Sequence, residues 1–317
     1  MKYNAYNTVY PLLKWVLSIL SFIFFYKSIK DIDWTIEFLP RLINAFENYP
    51  FIFTVVFLLV FLNLNFEAMK FKLLLQNSSL TQVKSFFTVL GGMAISNFTP
   101  ARSGEYVGRS LLLKGIHPLK ITIATVAGKL AQVLMTYGLG LISILVIYYF
   151  YDFYEDWLDH LSFILSVLLC FSLFVFIVLS KRIVRFISNY LPSKIQLFFK
   201  LVQQYNFSVY GRVIIYSFLR YVVFTIQLFT LMQLFSDFSL PVYYLWLVPV
   251  AFLLQSIVPV PAISDIGVRV GVCSLLFGGY ISNVALVQSV TCLWAINLIL
   301  PGIIGAFFLV ASNFLKE

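Results

Sequence analysis

Apolar residues in this chain come in long runs, not in the alternating or three-to-four spacing of a soluble core. Pro11–Ile29, Pro50–Leu74, Ile121–Phe150, Leu161–Ser180 and Val213–Phe235 are dominated by apolar side chains, and Val270–Leu315 covers 46 positions without a charge. A bilayer is crossed by about 20 such residues in a helix, so each run predicts a span. The last run is long enough to need a turn, which "FGGY" at Phe277–Tyr280 supplies, leaving Asn283–Phe314 as the final helix. Shorter apolar pieces lie between the runs: Val83–Phe98 and Glu105–Leu113 flank "NFTPARSG", and Pro241–Ile257 and Gly267–Leu276 flank "VPVPAISDIGVR". Each pair predicts a helical hairpin that dips into the bilayer and returns, its irregular tip tolerated where protein or water surrounds it.

Loop charge gives the orientation. The stretch from Lys181 to Arg212 carries six bases and no acid, whereas Tyr151–His160 carries four acids and no Lys or Arg. By the positive-inside rule the first faces the cytoplasm and the second faces outward. Lys70, Lys72 and Lys84 mark a second cytoplasmic loop, and both termini are then cytoplasmic, although Lys27 and Lys30 at the outer end of the first span run against the rule. Ile195, Phe198, Phe199 and Val202 recur at near-helical spacing within the basic loop, which suits either an interfacial amphipathic helix or a solvated linker.

The two halves resemble each other. "PARS" at Pro100–Ser103 is matched by "PAIS" at Pro261–Ser264, and "SLLLKG" at Ser110 by "SLLFGG" at Ser274. Each half reads as helix, hairpin, helix, and the single crossing Leu161–Ser180 inverts the second half, the inverted-repeat plan of many transporters. The predicted fold is an all-α polytopic membrane protein with about six spanning helices and two re-entrant hairpins. It is one transmembrane domain over 1–317: an N-terminal helix and outer loop (1–49), a first repeat (50–150), a connecting helix with the basic loop (151–210) and a second repeat (211–317).

Composition agrees. The chain is 61% hydrophobic and 11% charged, against about a quarter charged in soluble domains. The formal charge of +9 sits mostly beside apolar spans, so topology explains it and no nucleic-acid partner is expected. Cys170, Cys273 and Cys292 are odd in number and lie in apolar surroundings, which argues against a disulfide framework. With only His117 and His160, no metal site and no cofactor are expected. The expected location is the cell (inner) membrane, multi-pass; homo-oligomerisation is left open.

Charges near the hairpin tips are costly in a membrane unless paired or hydrated. Arg102 and Glu105 are three apart, and Glu105 with Arg109, and Asp265 with Arg269, are four apart, spacings that bring opposite charges together on a helix. Such pairs could simply pin the hairpins. Alternatively, three arginines against two acids leave a positive surplus beside helix amino-terminal ends, a receptor for a phosphate-bearing headgroup. Lys129, well inside its helix, suits a cavity role or snorkelling equally. Glu67 with Lys70 reads as an interfacial pair, and Arg220, Gln227 and Gln255 as lone polar residues with packing hydrogen bonds.

Asn97, Pro100, Arg102, Gly104, Glu105 and Arg109 resemble the first motif of the flippase-like transmembrane domain of lysylphosphatidylglycerol synthases, the multiple peptide resistance factors. That motif is an asparagine, then Pro-x-Arg-x-Gly-Glu and a following arginine. "PAISDIGVRV", with Pro261, Gly267 and Arg269, is similar to the second, Pro-x-x-Gly-x-Gly-x-Arg-Glu. Val270 replaces its glutamate, Arg109 falls one place late, and Gly128, Lys129 and Gln132 stand where the family commonly has a Glu-Arg pair and a later Asp. The resemblance runs from about Phe51 to the end and brings no soluble aminoacyl-transferase domain. It implies a lipid-moving membrane protein, not an enzyme, whose partner is a phospholipid or lipid-linked headgroup; the candidate binding residues are the motif positions Asn97, Pro100, Arg102, Glu105, Arg109 and Arg269, together with Lys129 and Asp265 from the charge pattern. The competing expectations are a transporter of a small anion or other solute, and an intramembrane lipid-modifying enzyme using Glu105 or Asp265.

Overall fold

The computed structural model describes residues 37–76, 80–97, 99, 104–113, 115–150, 205–258 and 265–314, with Tyr26 and Leu165. The expected spans Pro11–Ile29 and Leu161–Ser180, the acidic loop 151–160, nearly all of the basic loop, and Pro100, Arg102 and Pro261 lie outside them.

The described residues are helical throughout their regular elements. They run α1 (Leu39–Asn48), α2 (Pro50–Leu75), α3 (Gln82–Ser96), α4 (Gly104–Leu112), α5 (Pro118–Phe150) and α6 (Phe207–Phe235). A 3-10 turn (Val242–Trp246) then leads into α7 (Leu247–Ile257), followed by α8 (Asp265–Phe277), α9 (Asn283–Trp294), a π turn (Ala295–Ile299) and α10 (Leu300–Phe314). Among the described residues, four segments are long and apolar enough to cross a membrane: Pro50–Leu75, Pro118–Tyr148, Ser208–Phe235 and Asn283–Ala311. Their outward positions are apolar too, with Phe51, Leu58 and Phe307 largely exposed, as expected of surfaces solvated by lipid.

The paired pieces α3/α4 and α7/α8 are 15, 9, 11 and 13 residues long. At 1.5 Å per residue none exceeds about 23 Å, short of the ~30 Å hydrocarbon core. The order long helix, two short helices, long helix therefore occurs twice, as α2 to α5 and as α6 to α9/α10. The expected turn at "FGGY" is present: Tyr280 N–H donates to Phe277 O at 2.9 Å, and Ser282 then caps α9 by accepting from Ala285 N–H at 3.3 Å.

Helices α2 and α6 lie antiparallel at the centre, with Phe53 against Phe235 at one end and Phe66 stacked on Tyr216 toward the other. Helix α3 packs antiparallel to both α4 and α10, and these contacts use glycines. Gly91 and Gly92 face Gly108 and Arg109, and Gly305 lies against the Leu90 carbonyl. Hydrophobicity does not drive helices together in lipid, so close backbone approach at small residues supplies the packing. Phe87 stacked on Phe308 at 4.2 Å continues this seam.

The last span is not a uniform helix. Pro301 lacks the N–H that would bond Asn297 O, and its ring crowds that carbonyl; the chain widens into a π turn over the preceding residues and restarts as α10 with Pro301 in its first turn. Above the π turn α9 packs on α6 and α8, while below it α10 packs on α3 and α4.

Candidate functional site

Glu67, the one acid in α2, stands on the face that also carries Asn63 and Lys70, positions four before and three after it. That face turns toward α6, α4 and α5, and three cations meet Glu67. Lys70 Nζ lies 2.7 Å from its Oε2, Arg109 Nη2 lies 2.9 Å from its Oε1, and Arg220 Nη1 donates to Oε2. Arg109 also donates to Glu105, one turn back on α4, and Lys129 Nζ on α5 lies 2.8 Å from the other oxygen of Glu105. Two carboxylates from α2 and α4 thus share four cations from α2, α4, α5 and α6.

The surroundings explain why these charges gather. Lys70 and Arg109 are almost wholly buried, and an ionised group without a partner there would be severely penalised. Phe71 covers the Arg109 guanidinium at 4.5 Å, and Tyr106 lies 5.1 Å from the Lys129 ammonium. Gly128 makes room for the Lys70 stem, since a Cβ there would come within 3.2 Å of Lys70 Cε. Arg109 Nη1 reaches Thr125 at 3.4 Å, whereas its Nε finds no hydrogen-bond partner.

A polar ladder continues from the cluster between α2 and α6. Arg220 Nε donates to Asn63 Oδ1 at 2.7 Å, Asn63 to Asn297 Oδ1 at 3.2 Å, Asn297 to Gln227 Oε1 at 3.3 Å, and Gln227 to Val56 O at 3.0 Å. Counted along α2 this spans eleven residues, about 17 Å. It ties the charged cluster to the π turn, where Asn297 sits.

The expected site residues divide accordingly. Glu105, Arg109 and Lys129 meet in the cluster. Asn97 instead donates to Leu298 O in the π turn at 2.9 Å, joining the end of α3 to the last span. Thr99 accepts from Gly104 N–H at 2.7 Å and so caps α4. Asp265 and Arg269 pair at 2.9 Å on the first turns of α8, an element packed mainly on α9 and α7. Glu67, Lys70 and Arg220 correct the sequence reading: Glu67 and Lys70 are a buried pair, not an interfacial one, and Arg220 is ion-paired to Glu67. A lone acid, Glu67, in one apolar span and a base, Arg220, well inside another was the available signal.

The Asn97 contact yields a first prediction. Asn97→Ala should lower stability by about 1–2 kcal/mol through loss of the partner for the part-buried Leu298 carbonyl. Gly302→Ala should act alike, because its methyl group would displace the Asn97 amide. Thermal unfolding in detergent should find the double variant no worse than the poorer single one.

The chain matches the family described as lysylphosphatidylglycerol synthase TM region over residues 12–305. It belongs to that family. No curated protein matches it. Membership makes the chain a membrane-integral, lipid-related protein. Of the residues read above as the first motif, Asn97 joins α3 to the last span, while Glu105 and Arg109 sit in the ion-pair cluster.

Proposed function

We propose that this lysylphosphatidylglycerol synthase TM region protein moves a phospholipid, or a related lipid-linked headgroup, between the leaflets without altering it chemically. In this reading α3/α4 dips from the cytoplasmic face and α7/α8 from the outer face, as two inverted repeats. The headgroup passes between their tips while the acyl chains stay in lipid. The observation that carries the reading is a surplus of clustered cations, two buried and two part-buried, against two carboxylates among the described residues, at the start of α4. A phosphate accepts hydrogen bonds and carries the opposite charge, so it suits such a surplus. The family description points toward lipid, and the repeated element order supports alternating access.

Purified protein in vesicles containing a fluorescent phospholipid tests this. Leaflet exchange should slow by at least about tenfold in Arg102→Ala and in Lys129→Ala, as expected when a charged partner of a desolvated anion is truncated, with Arg269→Ala as a third arm for the opposite tip. Lipid mass should be unchanged after exchange. Equal rates in the parent and all three variants would refute the reading; a new lipid mass would replace it with an enzyme.

A further inference from the structure

Resting on the lipid-transfer reading, we infer that the cluster selects an anionic phosphate headgroup and rejects a cationic, aminoacylated one. Four observations support this. First, among the described residues the cluster holds Lys70, Arg109, Lys129 and Arg220 against Glu67 and Glu105, a surplus of two positive charges. Second, both oxygens of both carboxylates are already engaged. Glu67 Oε1 accepts from Arg109 and Oε2 from Lys70 and Arg220; Glu105 Oε1 accepts from Arg109 and Oε2 from Lys129. An incoming ammonium would find no uncommitted carboxylate oxygen and would have to break an existing ion pair.

Third, the deeply buried Arg109 keeps one donor, Nε, without a partner. It faces Gly92, where a Cβ would come within 3.2 Å of that nitrogen, so a buried donor there remains to be satisfied by an acceptor. Fourth, accessibility is graded. The Lys70 and Arg109 side chains are 2% and 1% exposed, Arg220 is 16% and Lys129 is 33%. Glu105 and Glu67 lie between these extremes at 12% and 11%, so a headgroup meets Lys129 and Arg220 before either acid.

The lysyl ester of phosphatidylglycerol bears two ammonium groups against one phosphate, whereas phosphatidylglycerol bears only the phosphate. The surplus attracts the second and repels the first. Like charges brought together in a desolvated site are among the strongest sources of discrimination available to a protein.

The experiment uses the full chain in vesicles of neutral lipid, each carrying a trace of labelled phosphatidylglycerol, labelled lysylphosphatidylglycerol or labelled phosphatidylcholine. A parallel set is offered radiolabelled inorganic phosphate from outside. Phosphatidylglycerol should exchange at least about tenfold faster than its lysyl ester, with the zwitterion between them. Lys129→Glu places a new carboxylate at the most exposed cation and should narrow or invert that ratio. If the variant does not fold, the three-lipid comparison on the parent decides alone. Equal or faster exchange of the lysyl ester would overturn the inference while leaving lipid transfer standing. Phosphate uptake without lipid exchange would keep the anion chemistry, assign it to a soluble ligand and overturn the lipid reading. Movement of neither would overturn both.

Discussion

Glu67→Gln is expected to destabilise the protein by about 3–5 kcal/mol, the usual consequence of removing one partner from a buried ion pair. The substitution changes shape hardly at all, so the loss isolates the charge. Lys70, Arg109 and Arg220 would then surround a neutral amide, with Glu105 the nearest remaining carboxylate and already shared by Arg109 and Lys129. The amide also presents N–H donors toward cations that can only donate. In detergent, thermal unfolding should show a fall of many degrees, and much of the protein should aggregate on extraction. Adding Arg220→Gln should recover part of the loss, because Arg220 is the better hydrated of the pair's neighbours and its removal relieves repulsion without emptying the deepest site. A Glu67→Gln variant that melts within a degree or two of the parent would show that the cluster does not hold these helices together.

The same cluster shows where sequence reading succeeds and where it stops. Span positions were legible where lipid demands contiguous apolar surface: Pro50–Leu74 was expected and α2 is Pro50–Leu75, and the end of α3 at Ser96, the start of α4 at Gly104 and the turn after Phe277 fall where glycine, proline and polar residues interrupt the runs. Local ion pairs were legible as well, since Glu105 with Arg109 and Asp265 with Arg269 follow from helical spacing alone. The pairing of Glu67 with Arg220 spans 153 positions and depends on two helices lying antiparallel at the correct register, which no local rule provides. Lys70, read beside Glu67 near the end of a span, looked interfacial; only the packing of α5 and α6 against α2 buries it. The π turn did leave a mark in the sequence, Pro301 within an apolar run, but the ladder runs through the Asn297 side-chain amide, and its partners Asn63 and Gln227 come from two other helices. Asn97 belongs with it: its role as a joint to the last span needed the position of Leu298, not its own motif.

The second large effect concerns glycine at the seam between α3 and α4. Gly108→Val is expected to cost at least about 3 kcal/mol and to abolish lipid exchange, because the added Cβ would collide with the backbone carbonyl of Gly91. A backbone carbonyl cannot rotate aside as a side chain can, so α3 and α4 would have to separate. Arg109 is the next residue on α4, and moving that helix would draw its guanidinium away from Glu67 on α2 and Thr125 on α5. A steric change would thereby open the electrostatic cluster without altering any charge. Gly138→Ala provides the contrast: a Cβ there meets nothing within 4 Å, and alanine favours helix over glycine by up to about 1 kcal/mol, so stability should hold or rise slightly. The two variants should be compared by thermal unfolding and by leaflet exchange of labelled phospholipid in vesicles. If Gly108→Val exchanges lipid at the parental rate, close contact between α3 and α4 is not what places Arg109 beside Glu67. If Gly138→Ala loses as much as Gly108→Val, the effect is a general intolerance of glycine replacement and the seam has no special part in it.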